Sequence, residues 1–109
     1  MSLKYFIIAG ESSGDLHGGH LMRELQSINP NIAFEGIGGN LMSQNGLKSF
    51  VDINKMNIMG FVEVLKKYSF FKSIQNQALN IIKEGNFDGI ILIDYPGFNL
   101  RLAKKIKKI

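Results

Sequence analysis

The chain has 109 residues, 45% of them hydrophobic, a formal charge of +4 and no cysteine. That is one domain's worth of sequence with enough apolar residues for a core. The absence of cysteine excludes a disulfide scaffold and a cysteine-based zinc site.

Taken in chain order, Tyr5–Ala9 is a short apolar run that reads as a strand buried on both faces. It is too short for the apolar region of a signal peptide. The turn Gly10–Asp15 follows, and then a helix to about Ile28 carrying Leu16, Leu21, Met22, Leu25 and Ile28. Asn29-Pro30 stops that helix. Ile32–Ile37 is a second strand, and Gly38-Gly39 turns into a short helix over Leu41–Asn45 that Gly46 can cap in the left-handed conformation. Leu47–Val51 is a third strand and Asp52–Met59 a loop. A long helix covers about Gly60–Lys83 and ends at Gly85-Asn86. Gly89–Ile93 is the most hydrophobic strand. Tyr95-Pro96-Gly97 turns, and Phe98–Ile109 returns as a helix whose last six residues hold four lysines. These lysines read as a solvated face, with attraction to nucleic acid or anionic lipid as the alternative. No stretch approaches the roughly 20 apolar residues that cross a bilayer.

Strands alternating with helices predict an α/β fold, a Rossmann-like parallel sheet with flanking helices. Such sheets bind ligands at the carboxyl ends of their strands. Three turns therefore draw attention: Gly10–Asp15, Gly36–Asn40 and Asp94–Asn99. In the first, Ser12 or Ser13 can cap the following helix, and Ser12 with Asp15 has capping-box spacing. The turn does not match the dinucleotide fingerprint G-x-G-x-x-G. Its acids, Glu11 and Asp15, would repel a diphosphate where backbone donors are needed. Carboxylates suit sugar hydroxyls better. Glu35 imitates the ribose hook of a dinucleotide site by distance, but it falls inside the second strand rather than at its end. Asp94 follows the buried run directly. Two readings fit it: a general base on an acceptor hydroxyl, or a cap on the turn before Pro96. Asn99 either binds a ligand or caps the last helix.

Four segments, in register, resemble the lipid-A-disaccharide synthase family. Ile8-Ala9-Gly10-Glu11-Ser12-Ser13-Gly14-Asp15 is similar to its A-G-E-x-S-G-D opening, and Phe34–Gly39 with Met42 to its second-strand turn. Met59-Gly60-Phe61-Val62-Glu63-Val64-Leu65 is similar to M-G-x-x-E-V-L, and Asp94–Ala103 to D-x-P-x-F-N-x-R-L-A. The resemblance implies the N-terminal half of a GT-B glycosyltransferase. Residues 1–109 would be the acceptor-side domain, without the C-terminal UDP-binding domain and inactive alone. The implied reaction joins UDP-2,3-diacylglucosamine to 2,3-diacylglucosamine 1-phosphate, releases UDP and inverts the anomeric centre, with no cofactor and no metal. Asp94 matches the family's proposed base and Glu11 a second important acid. Ser13, Gly14, Asp15, Met59, Gly60, Glu63 and Asn99 match motif positions expected on the substrate side. Some relatives carry a second acid where this chain has Gly97, so that position is not essential here.

Within the long helix, Phe61, Val64, Leu65, Tyr68 and Phe71 form one stripe fit to pack on the sheet. Val62 and Phe70 stand off that stripe, beside Lys66, Lys67 and Lys72. Apolar residues interleaved with lysines are what an interfacial segment needs. Given the lipid substrates implied by the resemblance, Val62, Lys66, Lys67, Phe70 and Phe71 are expected to contact the inner leaflet of a membrane. The protein would then be cytoplasmic and peripheral on the inner membrane, with no nucleic-acid partner. The rival readings are a nucleotide-binding Rossmann domain of a sugar-nucleotide epimerase or dehydrogenase, and a flavodoxin-like or response-regulator-like module with Asp94 as phosphoacceptor.

Overall fold

The computed structural model describes the backbone of residues 2–52, 64–93 and 96–108, with side chains in these ranges except at 52, 64–68, 71, 96 and 97. The elements are β1 (Leu3–Ala9), α1 (Ser12–Ile28), β2 (Ile32–Gly38), α2 (Asn40–Gln44), β3 (Leu47–Asp52), α3 (Val64–Gly85), β4 (Gly89–Ile93) and α4 (Pro96–Ile106). The strands form one sheet in the order β3-β2-β1-β4, and every pairing is parallel. The expected Rossmann-like α/β fold is therefore the observed one.

Two apolar clusters explain why the strands read as continuous apolar runs. Side chains alternate across a strand, so β1 contributes to both faces of the sheet. Phe6 and Ile8 join Ile37, Ile74, Ala78, Phe98 and Leu102, which places α3 and α4 on one face. Ile7 and Ala9 join Met22, Ile32, Phe34, Met42 and Leu47, which places α1 and α2 on the other. Fully burying a side chain such as Phe6 contributes about 1.5–3 kcal/mol.

The helix starts differ from the sequence reading. The expected turn Gly10–Asp15 is mostly helix, because α1 already begins at Ser12. Glu11 is its extended N-cap and makes no side-chain cap hydrogen bond, so neither Ser12 nor Ser13 caps α1. The buried face of α1 is Gly14, Asp15, Gly18, Gly19 and Met22. Leu16, Leu21 and Ile28 are exposed. Glycines let α1 lie close to the sheet, and the larger apolar residues are displaced to its flanks. Pro96, expected within a turn, is the first residue of α4. Proline suits that position because the first helical N–H has no intrahelical partner.

The helix ends follow expectation. Gly46 after α2 has φ +97°, and Asn86 after α3 has φ +52°. Both are left-handed C-terminal stops. The phase of α3 is set by buried Ile74 and Ala78, with Phe70 one turn earlier packed against the same cluster. Phe70 thus lies on the packing stripe, not off it as the lysine-interleaved pattern suggested. Residues 53–60, most of the expected loop, and the expected helix opening at Gly60 lie outside the described residues.

Candidate functional site

The strand order gives the site its position. The chain builds outward from β1 to β2 and β3, then crosses back so that β4 pairs with the other edge of β1. Open α/β sheets form a ligand crevice at such a reversal, outside the carboxyl ends of the strands. Here Ala9 at the end of β1 pairs with Ile93 at the end of β4. Gly10-Glu11 follows Ala9 in sequence, and Asp94 follows Ile93.

Glu11 and Ser13 are exposed at this edge. The Glu11 carbonyl accepts from the Asp15 N–H at 2.9 Å, which closes the first turn of α1. The Glu11 carboxylate, free of any capping duty, is available at the start of the helix. Gly14 is buried, and a Cβ there would meet the Ala9 Cβ at 3.1 Å. This glycine brings α1 onto the end of β1, a packing duty rather than ligand contact. Asn99 is buried in α4 and donates from Nδ2 to the Ile93 carbonyl at 3.4 Å, tying α4 to the end of β4.

Asp15 is placed differently from the expectation that it contacts substrate. It is 7% exposed, and its carboxylate is taken up by the backbone of the neighbouring turn. Oδ1 accepts from the Gly39 N–H at 2.8 Å and the Met42 N–H at 3.0 Å, and Oδ2 accepts from the Leu41 N–H at 3.0 Å. It therefore caps α2, not its own helix, and complements the positive end of that helix.

The β2–α2 turn needs its glycines. Gly36 has φ +146°, and a Cβ there would collide with the Ile7 carbonyl. A Cβ on Gly39 would come within 2.6 Å of Asp15 Oδ2, and one on Gly38 or Gly18 within 2.6 Å of Met42 Sδ. At the same edge β3 gains a residue on β2, since Gly36 pairs with Ser49 and Gly38 with Asp52. Ser49 Oγ donates to the Val51 carbonyl at 2.7 Å across this irregularity. An open cleft of about 390 Å³ lies there, bounded by Gly38, Gly39, Asn40, Ser43, Ser49 and Phe50.

Glu35 lies within β2 and its Oε2 is 3.6 Å from Lys4 Nζ. It does not stand at the strand end where a ribose hook belongs, which disfavours the dinucleotide reading. Gln75, which sequence reading passed over, is buried between α3 and α4. It donates to the Phe98 carbonyl at 3.1 Å and accepts from Lys105 Nζ at 3.2 Å. A polar residue on an otherwise apolar stripe was its one signal.

Asp94, Met59, Gly60, Glu63 and Val62 lie outside the described residues, as do the side chains of Lys66, Lys67 and Phe71. Among the described residues no cluster of three or more metal-ligating side chains occurs, and no helix is long and apolar enough to cross a membrane.

Comparison with known proteins agrees with the four segments. Residues 5–109 match the family model described as lipid-A-disaccharide synthetase. The chain is 44% identical over 105 residues to the lipid-A-disaccharide synthase of Trichlorobacter lovleyi, which covers 96% of this chain and 27% of the relative. It is 40% identical over 103 residues to that of Nitrosococcus oceani and 38% over 102 residues to that of Coxiella burnetii, covering 94% of this chain in each case. It spans about a quarter of the length of these curated relatives, 27% in each. The chain belongs to the lipid-A-disaccharide synthetase family.

Proposed function

We propose that residues 1–109 form the acceptor-side, N-terminal Rossmann-like half of a GT-B glycosyltransferase. It would transfer 2,3-diacylglucosamine from its UDP-sugar to 2,3-diacylglucosamine 1-phosphate. The observation that carries this reading is the pairing of Ala9 with Ile93 in a chain of this family. It sets side by side the two strand ends, Ala9 and Ile93, at the reversal of strand order, and the family motifs with Glu11 and Asp94 follow these ends in sequence.

In this reading Asp94 is the general base. It takes the proton of the acceptor hydroxyl as that oxygen attacks the anomeric carbon from the side opposite UDP. The new glycosidic bond forms as the bond to UDP breaks, so the centre inverts and UDP leaves with the bonding electron pair. Exposed Glu11 accepts hydrogen bonds from sugar hydroxyls and holds the acceptor in line. Lipid-bearing substrates call for a membrane surface. Val62, Lys66, Lys67 and Phe71 are the proposed contacts, on the cytoplasmic face of the inner membrane. Phe70 is removed from that set as a docking anchor, because it packs against the core.

The test is a chimera in which this chain replaces the matching segment of the Trichlorobacter lovleyi relative. With both diacylated sugars it should release UDP. Asp94→Asn should lower turnover by about 10²–10⁴-fold, the usual contribution of a general base. Wild-type turnover in Asp94→Asn would sink the base assignment, and no UDP release from a folded chimera would sink the activity.

A further inference from the structure

Asn45-Gly46 is the only Asn-Gly pair in the chain, and it stands where α2 ends and the chain turns into β3. Such a pair is chemically labile wherever its backbone is free. The Gly46 nitrogen, deprotonated by hydroxide, attacks Asn45 Cγ. The N–Cγ bond forms, the Cγ–Nδ2 bond breaks, and Nδ2 leaves with the bonding pair and takes a proton from water as ammonia. Water then opens the five-membered imide. Opening at Cγ gives aspartate, and opening at the main-chain carbonyl gives isoaspartate, with the chain rerouted through the side chain. Glycine favours the attack because it has no Cβ to hinder closure.

The fold holds the groups of this reaction apart. The Gly46 N–H, the nucleophile, donates to the Ser43 carbonyl at 3.0 Å. Asn45 Nδ2, the leaving group, donates to the Leu41 carbonyl at 2.9 Å. The Asn45 carbonyl accepts from Gln26 Nε2 at 2.8 Å, which fastens the pair to α1. Ring closure needs Asn45 Cβ and the Gly46 nitrogen eclipsed about the Cα–C bond, far from the ψ of 13° found at Asn45. These bonds and this ψ belong to the folded end of α2, so closure waits for α2 to unwind. A helix of five residues is too short to hold itself. Its other end is held by the three bonds from Gly39, Leu41 and Met42 to Asp15.

The product acts back on the helix. Aspartate at this position has no donor for the Leu41 carbonyl and sets a negative charge at the C-terminal end of α2, where it is destabilising. Isoaspartate adds a methylene to the main chain at the same place. We propose that Asn45 is a deamidation site held closed by α2, that Asp15 keeps it closed from the far end of that helix, and that its conversion loosens the β2–α2 turn. The proposal is independent of the proposed glycosyl transfer.

The experiment incubates the intact chain and a synthetic peptide of residues 40–48 side by side at mildly alkaline pH. Peptide mapping by mass spectrometry follows conversion of the Asn45 amide to acid, and NMR follows hydrogen exchange of the Gly46 N–H. Deamidation should be at least about tenfold slower in the folded chain than in the peptide, and slowed at least as much as Gly46 exchange, because both need the bond to Ser43 to open. Equal rates in chain and peptide would overturn the lock, and an Asn45 that stays intact in the urea-unfolded chain would overturn the site. Gln26→Ala removes the tie to α1 and should speed conversion; an unchanged rate would also overturn the lock. Asp15→Asn should raise Asn45 conversion and Gly46 exchange together, and a folded variant with wild-type rates would remove Asp15 from the control. If that variant does not fold, Asn45→Asp decides, since coupling between two sites is reciprocal. Asn45→Asp, a copy of one product, should keep a dispersed spectrum and exchange the Gly39, Leu41 and Met42 amides faster than the wild type. Unchanged exchange at these three would overturn both the coupling to Asp15 and the loosening of the turn.

Discussion

Gly39 donates its N–H to Asp15 Oδ1 at 2.8 Å across 24 residues of sequence. The bond joins the first turn of α1 to the turn after β2, two segments that the family motifs treat separately. Together with the bonds from Leu41 and Met42, it makes one acid the shared fastening of both turns.

Asp15→Ala should therefore be among the most damaging polar substitutions in the chain. It leaves three N–H donors without their acceptor, two of these bonds being fully buried. A hydrogen bond to a charged group contributes about 1.5–3 kcal/mol, and the effects within one network are not additive. A loss of about 3–5 kcal/mol is expected from urea unfolding of the chain. Asp15→Asn keeps one acceptor oxygen and should lose roughly half of that. Equal midpoints for wild type and Asp15→Ala would contradict the cap.

Two glycines with positive φ should respond unequally to alanine. At Gly36 the added Cβ would strike the Ile7 carbonyl inside the sheet, so Gly36→Ala should not yield a folded chain. At Gly46 the nearest atom is the Gln26 amide nitrogen at 3.8 Å, so only the backbone conformation resists. Gly46→Ala should lose about 1 kcal/mol, and Gly46→Asn less, since asparagine tolerates the left-handed region. Circular dichroism melts of the three variants check the order.

Gln75→Ala should loosen α4 from α3. It removes the donor to the Phe98 carbonyl and the acceptor of Lys105 in one step. A destabilisation of about 1–3 kcal/mol is expected, with faster hydrogen exchange concentrated in α4. Uniformly faster exchange over the whole sheet would argue against a local tie.

The membrane proposal separates by substitution. Lys66→Ser/Lys67→Ser should reduce flotation with anionic vesicles, more so at low salt, and leave the melting temperature nearly unchanged. Phe70→Ser should lower the melting temperature instead, because that ring packs against the core cluster. Vesicle binding unaffected by the lysine pair would remove the docking segment.

Much of the fold was legible because it rests on local signals. The apolar run Gly89–Ile93 reads as a strand and is one, though as an edge strand it is half-buried rather than buried, and Gly46 and Gly85-Asn86 mark helix ends by composition. The misreadings come from contacts distant in sequence. Ser12 and Ser13 looked like caps because serines commonly are, while the cap that matters reaches from Asp15 to α2 and leaves no local trace. The packing face of α1 is not legible from its leucines, because its buried face is made largely of glycines. The stripe Phe61, Val64, Leu65, Tyr68 and Phe71 leaves Phe70 outside the packing face, whereas buried Ile74 and Ala78 bring Phe70 inward. At the site, the acids were found from their positions after strands. Dividing them into an exposed Glu11 and a structural, buried Asp15 requires the hydrogen bonds.

Met42 occupies the space that Gly18 and Gly38 leave open, and it is 0% exposed. A sulfur so enclosed is out of reach of peroxide while α1 stays on the sheet. An oxygen added to it would claim volume that those glycines leave only for the thioether itself. Oxidation of Met42 thus requires α1 and α2 to separate first, and the sulfoxide then holds them apart. The rate at which peroxide reaches this one thioether is a chemical clock for the opening of the first two turns.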